Sequence, residues 1–143
     1  MGRILAIDYG KKRTGLAVTD FLRIIATPLT TVLTAELMPF LKNYLEKETV
    51  DEFVVGMPKT LLNEDSEIAP LVRNFVEALK TTFPDKPIHL ADERFTSRMA
   101  QRAMIEGGMK KKDRRIKGNV DMISATIILQ SFMQAQNFKG GLH

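Results

Sequence analysis

The stretch RILAIDYGKKRTGLAVTD, Arg3 to Asp20, decides how the rest of the chain is read. Two apolar runs, Ile4–Asp8 and Thr14–Thr19, flank a short polar connection, and Gly10 and Gly15 bracket it. That pattern predicts an antiparallel hairpin. The first run ends in an acid, Asp8, followed at once by Lys11, Lys12 and Arg13. A carboxylate at a strand end beside three cations suits a place where a divalent ion and a polyanion meet.

Working outward, Arg23 to Val32 is β-branched and is expected to form a third strand, with Pro28 pushing it to an edge or a bulge. Leu37, Phe40, Leu41, Tyr44 and Leu45 recur at helical spacing, with Thr34 available as a cap. Glu52–Gly56 (EFVVG) is a continuous apolar run, the mark of a strand covered on both faces. Ile68 to Leu79 returns to helical spacing, and Pro87–Ala91 is a further strand that delivers Asp92 and Glu93 at its end. Thr96 or Ser97 starts a helix through Glu106, and a final helix runs from about Asn119 to Gln136. Three strands followed by alternating helices and strands predict an α/β fold: a mixed sheet with helices on both faces, one domain over residues 1–143.

The bulk numbers narrow the function. A chain of 143 residues with 44% hydrophobic content can bury a core unaided. It has no cysteine, which excludes thiol chemistry and a disulfide framework. Without a long apolar run or a leader pattern it reads as soluble and cytoplasmic, with no membrane partner. Formal charge is +4, but Arg94 to Lys117 holds nine cations against Glu106 and Asp113, a net +7 that leaves −3 for the remainder. Such a concentration is the footprint of a phosphate-binding surface, although a solvated charged loop has the same composition.

Three acids stand at comparable places. Asp8 ends the first strand, Glu93 the last, and parallel strand ends share one edge of a sheet. Asp121 lies in the first turn of the last helix, on the face shared by Ala125, Ile128, Leu129 and Phe132. Each alone has an ordinary explanation: a turn aspartate, a surface ion pair, an acid favoured by the helix dipole. Together they repel unless a cation holds them. Carboxylates with only His89 and His143 for imidazole select Mg²⁺ or Mn²⁺ over zinc. Two such ions can clamp a phosphodiester, which makes Asp8, Glu93 and Asp121 the expected catalytic and metal-binding residues. His89 is read as a structural histidine, and Met99, Met104, Met122 and Met133 as core filler.

AIDYGKKRTGLAVTD, VVGMPK, LADERFTS and VDMISATIILQSF resemble, in order and spacing, the YqgF (RuvX) family, described as Holliday junction resolvases and as nucleases that process the 5′ end of the small-subunit ribosomal RNA precursor. The resemblance covers nearly the whole chain. It implies a ribonuclease H-like fold, a five-stranded mixed sheet, and a metal-dependent nuclease site on Asp8, Glu93 and Asp121. The cations expected to hold nucleic acid are Lys11, Lys12, Arg13, Lys59, Arg94, Arg98, Lys110, Lys111, Lys112, Arg114, Arg115 and Lys117. Junction resolvases of this superfold are expected to carry a second acid one turn after the helix aspartate, where this chain has Ser124; another departure is Asn63, where the family usually has glycine.

The expected function is therefore a nuclease in ribosome biogenesis acting on precursor 16S RNA, with ribosomal particles as possible partners. Resolution of branched DNA in recombination or repair is the alternative. A non-catalytic nucleic-acid-binding module of the same fold is a third reading. A phosphotransferase of the actin and sugar-kinase superfold fits less well, because that machinery closes two domains on a nucleotide. Monomer and homodimer stay open.

Overall fold

In the computed structural model the described residues are 2–57, 68–92 and 117–140. Five strands form one sheet in the order β3-β2-β1-β4-β5: β1 Arg3–Asp8, β2 Arg13–Thr19, β3 Ala26–Leu33, β4 Val50–Met57 and β5 Ile88–Asp92. β2 is antiparallel to both its neighbours, β1 and β3, while β1, β4 and β5 run parallel. A 3₁₀ turn (Thr34–Glu36) leads into α1 (Leu37–Lys47); α2 (Ala69–Thr82) follows β4, and α3 (Lys117–Gly140) comes last. The hairpin, the edge position of β3 and the buried central β4 agree with the sequence reading.

Period-two alternation sorts the core into two layers. Leu5, Ile7, Leu16, Val18, Phe53 and Val55 point to one face, where they meet Leu37 and Leu41 of α1 and Val72, Phe75, Val76 and Leu79 of α2. Ile4, Ala6, Ala17 and Val54 point to the other, against Ala125, Ile128 and Leu129 of α3. Gly15, Ala6 and Ala17 keep part of the α3 face low, which lets the helix backbone come close at Asp121. Asp8 follows Ala6 by two positions in β1 and so lies on the α3 face.

Pro28 sits opposite Ala17 beside a shift in the β2–β3 register, which combines the edge and the irregularity expected of it. The third strand starts later than its composition suggests. Residues 20–25 form a turn instead: Asp20 Oδ1 accepts the amides of Ile24 (2.7 Å) and Ile25 (2.9 Å), and Arg23 adopts a left-handed φ of 58°. The Ile25 amide is the main influence holding the Asp20 carboxyl below its ordinary pKa, with the Ile24 amide adding to it. Arg23 is kept in that conformation by its guanidinium, which bonds Glu52 (2.6 Å), Asp51 (3.2 Å) and the Gly2 carbonyl (3.0 Å). Glu52 also meets His89 Nε2 at 2.9 Å, and the imidazole lies 4.7 Å from the Phe132 ring. His89 is thus a partnered edge histidine, as read from sequence. This charged cluster borders a cavity of about 110 Å³ between Ile4, Phe132 and Met133, at the opposite end of β1 from Asp8.

Leu129 is fully buried between α3 and the sheet, whereas Leu90 on edge strand β5 is 58% exposed. Leu129→Ala should lower unfolding free energy by about 2–5 kcal/mol in urea titrations. Leu90→Ala should change it by less than about 0.5 kcal/mol; equal effects of the two would contradict the placement of α3.

Candidate metal and nucleic-acid site

The site is built around a residue without a side chain. Asp8 is directly opposite Gly15 in the β1–β2 ladder, at a Cα separation of about 4.5–5.5 Å for such pairs. On Gly15, a Cβ would collide with the main-chain carbonyl of Asp121 and come within 2.9 Å of the Asp121 Cβ. Gly15 therefore touches both aspartates' neighbourhoods at once, one across the sheet and one above it. Two acids separated by 113 positions in sequence are brought to the same corner, on the same face.

The connection that carries the cations is fixed by a hydroxyl latch. Thr34 Oγ1 donates to the Gly10 carbonyl (2.6 Å) and lies 2.9 Å from Thr14 Oγ1, while the Thr34 amide bonds the Lys12 carbonyl (2.9 Å). Thr14 is fully buried, and its Oγ1 accepts from the Gly10 amide at 3.5 Å. Thr34 was expected to cap α1; its hydroxyl is turned back to this connection, and α1 has no side-chain cap. The reason is tertiary: β3 ends beside the hairpin connection, where the carbonyls of Gly10 and Lys12 take up the Thr34 hydroxyl and amide. Gly10 is required here too, because a Cβ would press on the Arg13 carbonyl.

With the connection fixed, its cations divide. Lys11 and Lys12 are exposed, while Arg13 leans inward and sets its Nε 3.6 Å from Asp121 Oδ2. The Arg13 side chain is 34% exposed and that of Asp121 22%. Among the described residues, two buried side-chain polar atoms lack a hydrogen-bond partner: Arg13 Nε and Ser124 Oγ. One belongs to the ion-pair partner of Asp121 and the other stands one helical turn beyond it.

An acceptor oxygen would satisfy the Arg13 Nε donor, while Ser124 Oγ can donate or accept. Carboxylates of Asp8 and Asp121, with no thiolate or imidazole beside them in sequence, would offer hard oxygen donors of the kind that suit Mg²⁺ or Mn²⁺. Among the described residues no group of three or more metal-binding side chains is assembled. The expected third acid, Glu93, lies outside the described residues, directly after Asp92 at the end of β5. Since β5 is parallel to β4 and β4 to β1, the β5 terminus and Asp8 are at the same edge of the sheet. Lys59, Arg94, Arg98, Lys110, Lys111, Lys112, Arg114 and Arg115 are also outside the described residues; Lys117 opens α3, its side chain outside them as well.

Sequence reasoning passed over Gly15 as a turn marker and Thr34 as a cap. The signal for the first was legible: a glycine inside a strand commonly marks close backbone approach. Nothing local announces the Thr14–Thr34 latch or the inward turn of Arg13.

Sheet order, the helix on the small-residue face and the acids at one edge define an α/β domain of the ribonuclease H-like kind. The chain belongs to the RuvX family, whose model, described as Holliday junction resolvase, matches residues 2–135. A Phocaeicola vulgatus protein named "Putative pre-16S rRNA nuclease" is 54% identical over 138 residues, covering 96% of this chain and 99% of its own length. A Porphyromonas gingivalis protein of the same name is 55% identical over 133 residues, 93% of this chain and 96% of that one. The structure of T. thermophilus RuvC in complex with Holliday junction substrate shares the fold, with a TM-score of 0.57 over 95% of this chain and 96% of that chain at 16% identity. No helix among the described residues is long and apolar enough to cross a membrane.

Gly15→Ala forces β2 and α3 apart at Asp121. It should cost about 1–3 kcal/mol in urea unfolding and weaken Mn²⁺ binding in the same protein. Parent-like values for both would show that the close approach has no role.

Proposed function

We propose that this chain is a divalent-metal-dependent nuclease that hydrolyses phosphodiester bonds of structured RNA, acting at the 5′ end of precursor 16S ribosomal RNA. The observation that carries this reading is the juxtaposition of Asp8 and Asp121 about Gly15, with Lys11 and Lys12 exposed beside them. The names of the relatives above favour RNA as substrate. Branched DNA is the second reading, favoured by the family's description.

Asp8, Glu93 and Asp121 would hold the divalent metal through their carboxylate oxygens. Bound Mg²⁺ or Mn²⁺ would supply an activated water and neutralise the leaving oxygen. The chain's own groups do the rest. The main chain of Asp8 is held in the β1–β2 ladder, so placing this residue needs no loop closure. Lys11 and Lys12, on a connection latched by Thr34, meet phosphates beside the scissile one. Arg94, Arg98 and the Lys110–Lys117 cluster extend the contact along the backbone, with Lys59 and Arg13 completing it. Contacts of this kind give affinity without base reading. Ribosomal particles, as carriers of the precursor, are the proposed setting.

The test uses purified protein with Mg²⁺ or Mn²⁺ on a precursor 16S RNA end and, in parallel, on a four-way DNA junction. Asp8→Asn should reduce cleavage about a hundredfold or more while leaving nucleic-acid binding in place. Cleavage at the parent rate by Asp8→Asn would sink the proposal, and cutting of the junction alone would move it to the second reading. Neutralising Lys110–Lys112, Arg114 and Arg115 should weaken binding to all sequences alike and flatten its salt dependence. An unchanged salt slope would remove that segment from the interface.

A further inference from the structure

We propose that Arg13 is an exchangeable counterion: it neutralises Asp121 while no divalent ion is held there, and is released toward a nucleic-acid phosphate when one is. The inference rests on the metal-binding role given to Asp121 above and adds a coupling between ion loading and phosphate capture.

The pair is loose in a way that suits exchange. At 3.6 Å the Arg13 Nε to Asp121 Oδ2 separation is beyond hydrogen-bond length, so the attraction is Coulombic with no directional bond to break. The Nε hydrogen is shielded from water and makes no hydrogen bond, so the pairing leaves a buried donor unused. A guanidinium packed for stability would meet a carboxylate with two parallel bonds; here Nε approaches one carboxylate oxygen without bonding it. Phosphate presents the oxygens that such a fork fits, which a lysine at this position would match less well.

The main chain around Arg13 is held by hydrogen bonds. Arg13 is paired with Leu33 in the β2–β3 ladder, and its neighbours are tied down by the Lys12 carbonyl bond to the Thr34 amide and by the Gly10 amide bond to Thr14 Oγ1. One third of the side chain is already exposed, and the preceding Lys11 and Lys12, proposed to meet phosphates, are exposed as well. A divalent ion on Asp121 replaces a single positive charge by two and repels the guanidinium at the same time. Arg13 thus suppresses repulsion between Asp8 and Asp121 in the ion-free protein and becomes a phosphate ligand only where an ion is present.

Mn²⁺ titration by calorimetry on the full chain tests the exchange, with Arg13→Gln and Asp121→Asn beside the parent. Arg13→Gln should bind Mn²⁺ about five- to tenfold tighter, having lost a competing charge, and Asp121→Asn should bind at least about tenfold weaker. Parent-like affinity in Arg13→Gln, with loss in Asp121→Asn, overturns the exchange and leaves the metal assignment standing. Parent-like affinity in Asp121→Asn overturns the metal assignment itself. Should Arg13→Gln fail to fold, the parent's Arg13 Nε–H resonance decides. It should shift on saturation with Mg²⁺, and shift again on adding inorganic phosphate only when Mg²⁺ is present. A resonance indifferent to Mg²⁺, or a phosphate response independent of it, overturns the proposal.

Discussion

The contact between Gly15 and the main chain of Asp121 sets the geometry on which everything else in this molecule depends. A side chain on Gly15 would hold α3 away from β2, and the first turn of the helix would no longer stand over the end of β1. Because Gly15 is also the ladder partner of Asp8, a single missing Cβ determines how close two acids can come. The small residues Ala6 and Ala17 continue this arrangement along the same face, so the helix lies close to the sheet for more than one turn. The cost is that a strand interior carries a glycine, and the packing of Ile128 and Leu129 offsets it.

The two faces of the sheet share the work unequally. The face under α1 and α2 is a conventional apolar core, including the Phe53–Phe83 contact at 5.5 Å between ring centroids. The α3 face carries the polar groups at both of its ends. At one end the Arg23, Asp51, Glu52 and His89 cluster ties β1, β4, β5 and the turn before β3 together, with every named group partnered. At the other end, beside Asp8 and Asp121, Arg13 Nε and Ser124 Oγ lack hydrogen bonds. Fully satisfied networks stabilise a fold, and incompletely satisfied ones mark places where a ligand completes the structure.

Most of the architecture was legible in the sequence because it rests on periodicity. The hairpin, the doubly buried β4 and the sheet-facing side of α3 follow from spacing alone, and Asp121 was correctly placed on the face of Ala125 and Ile128. What escaped is decided by groups distant in sequence. Thr34 reads as a helix cap until the Gly10 carbonyl, 24 positions earlier, is seen to need its hydroxyl. Arg23 reads as strand until Glu52 and Asp51 hold it in a left-handed turn. Arg13 reads as one of three phosphate-holding cations until Asp121 is seen to draw it inward. In each case a long-range polar contact overrides a sound local preference. Glu93, outside the described residues, keeps the role proposed for it on the strength of its place after β5.

The central claim is that a divalent ion binds where Gly15 brings Asp8 and Asp121 together. Paramagnetic broadening of backbone amide resonances by substoichiometric Mn²⁺ tests it most directly, since broadening falls steeply with distance from the ion. Amides of Asp8, Gly15 and Asp121 should broaden first, ahead of Arg23, Glu52 and His89 at the far end of the sheet. Broadening that begins at the Arg23 and Glu52 cluster, or that spreads evenly over the surface, would contradict the account.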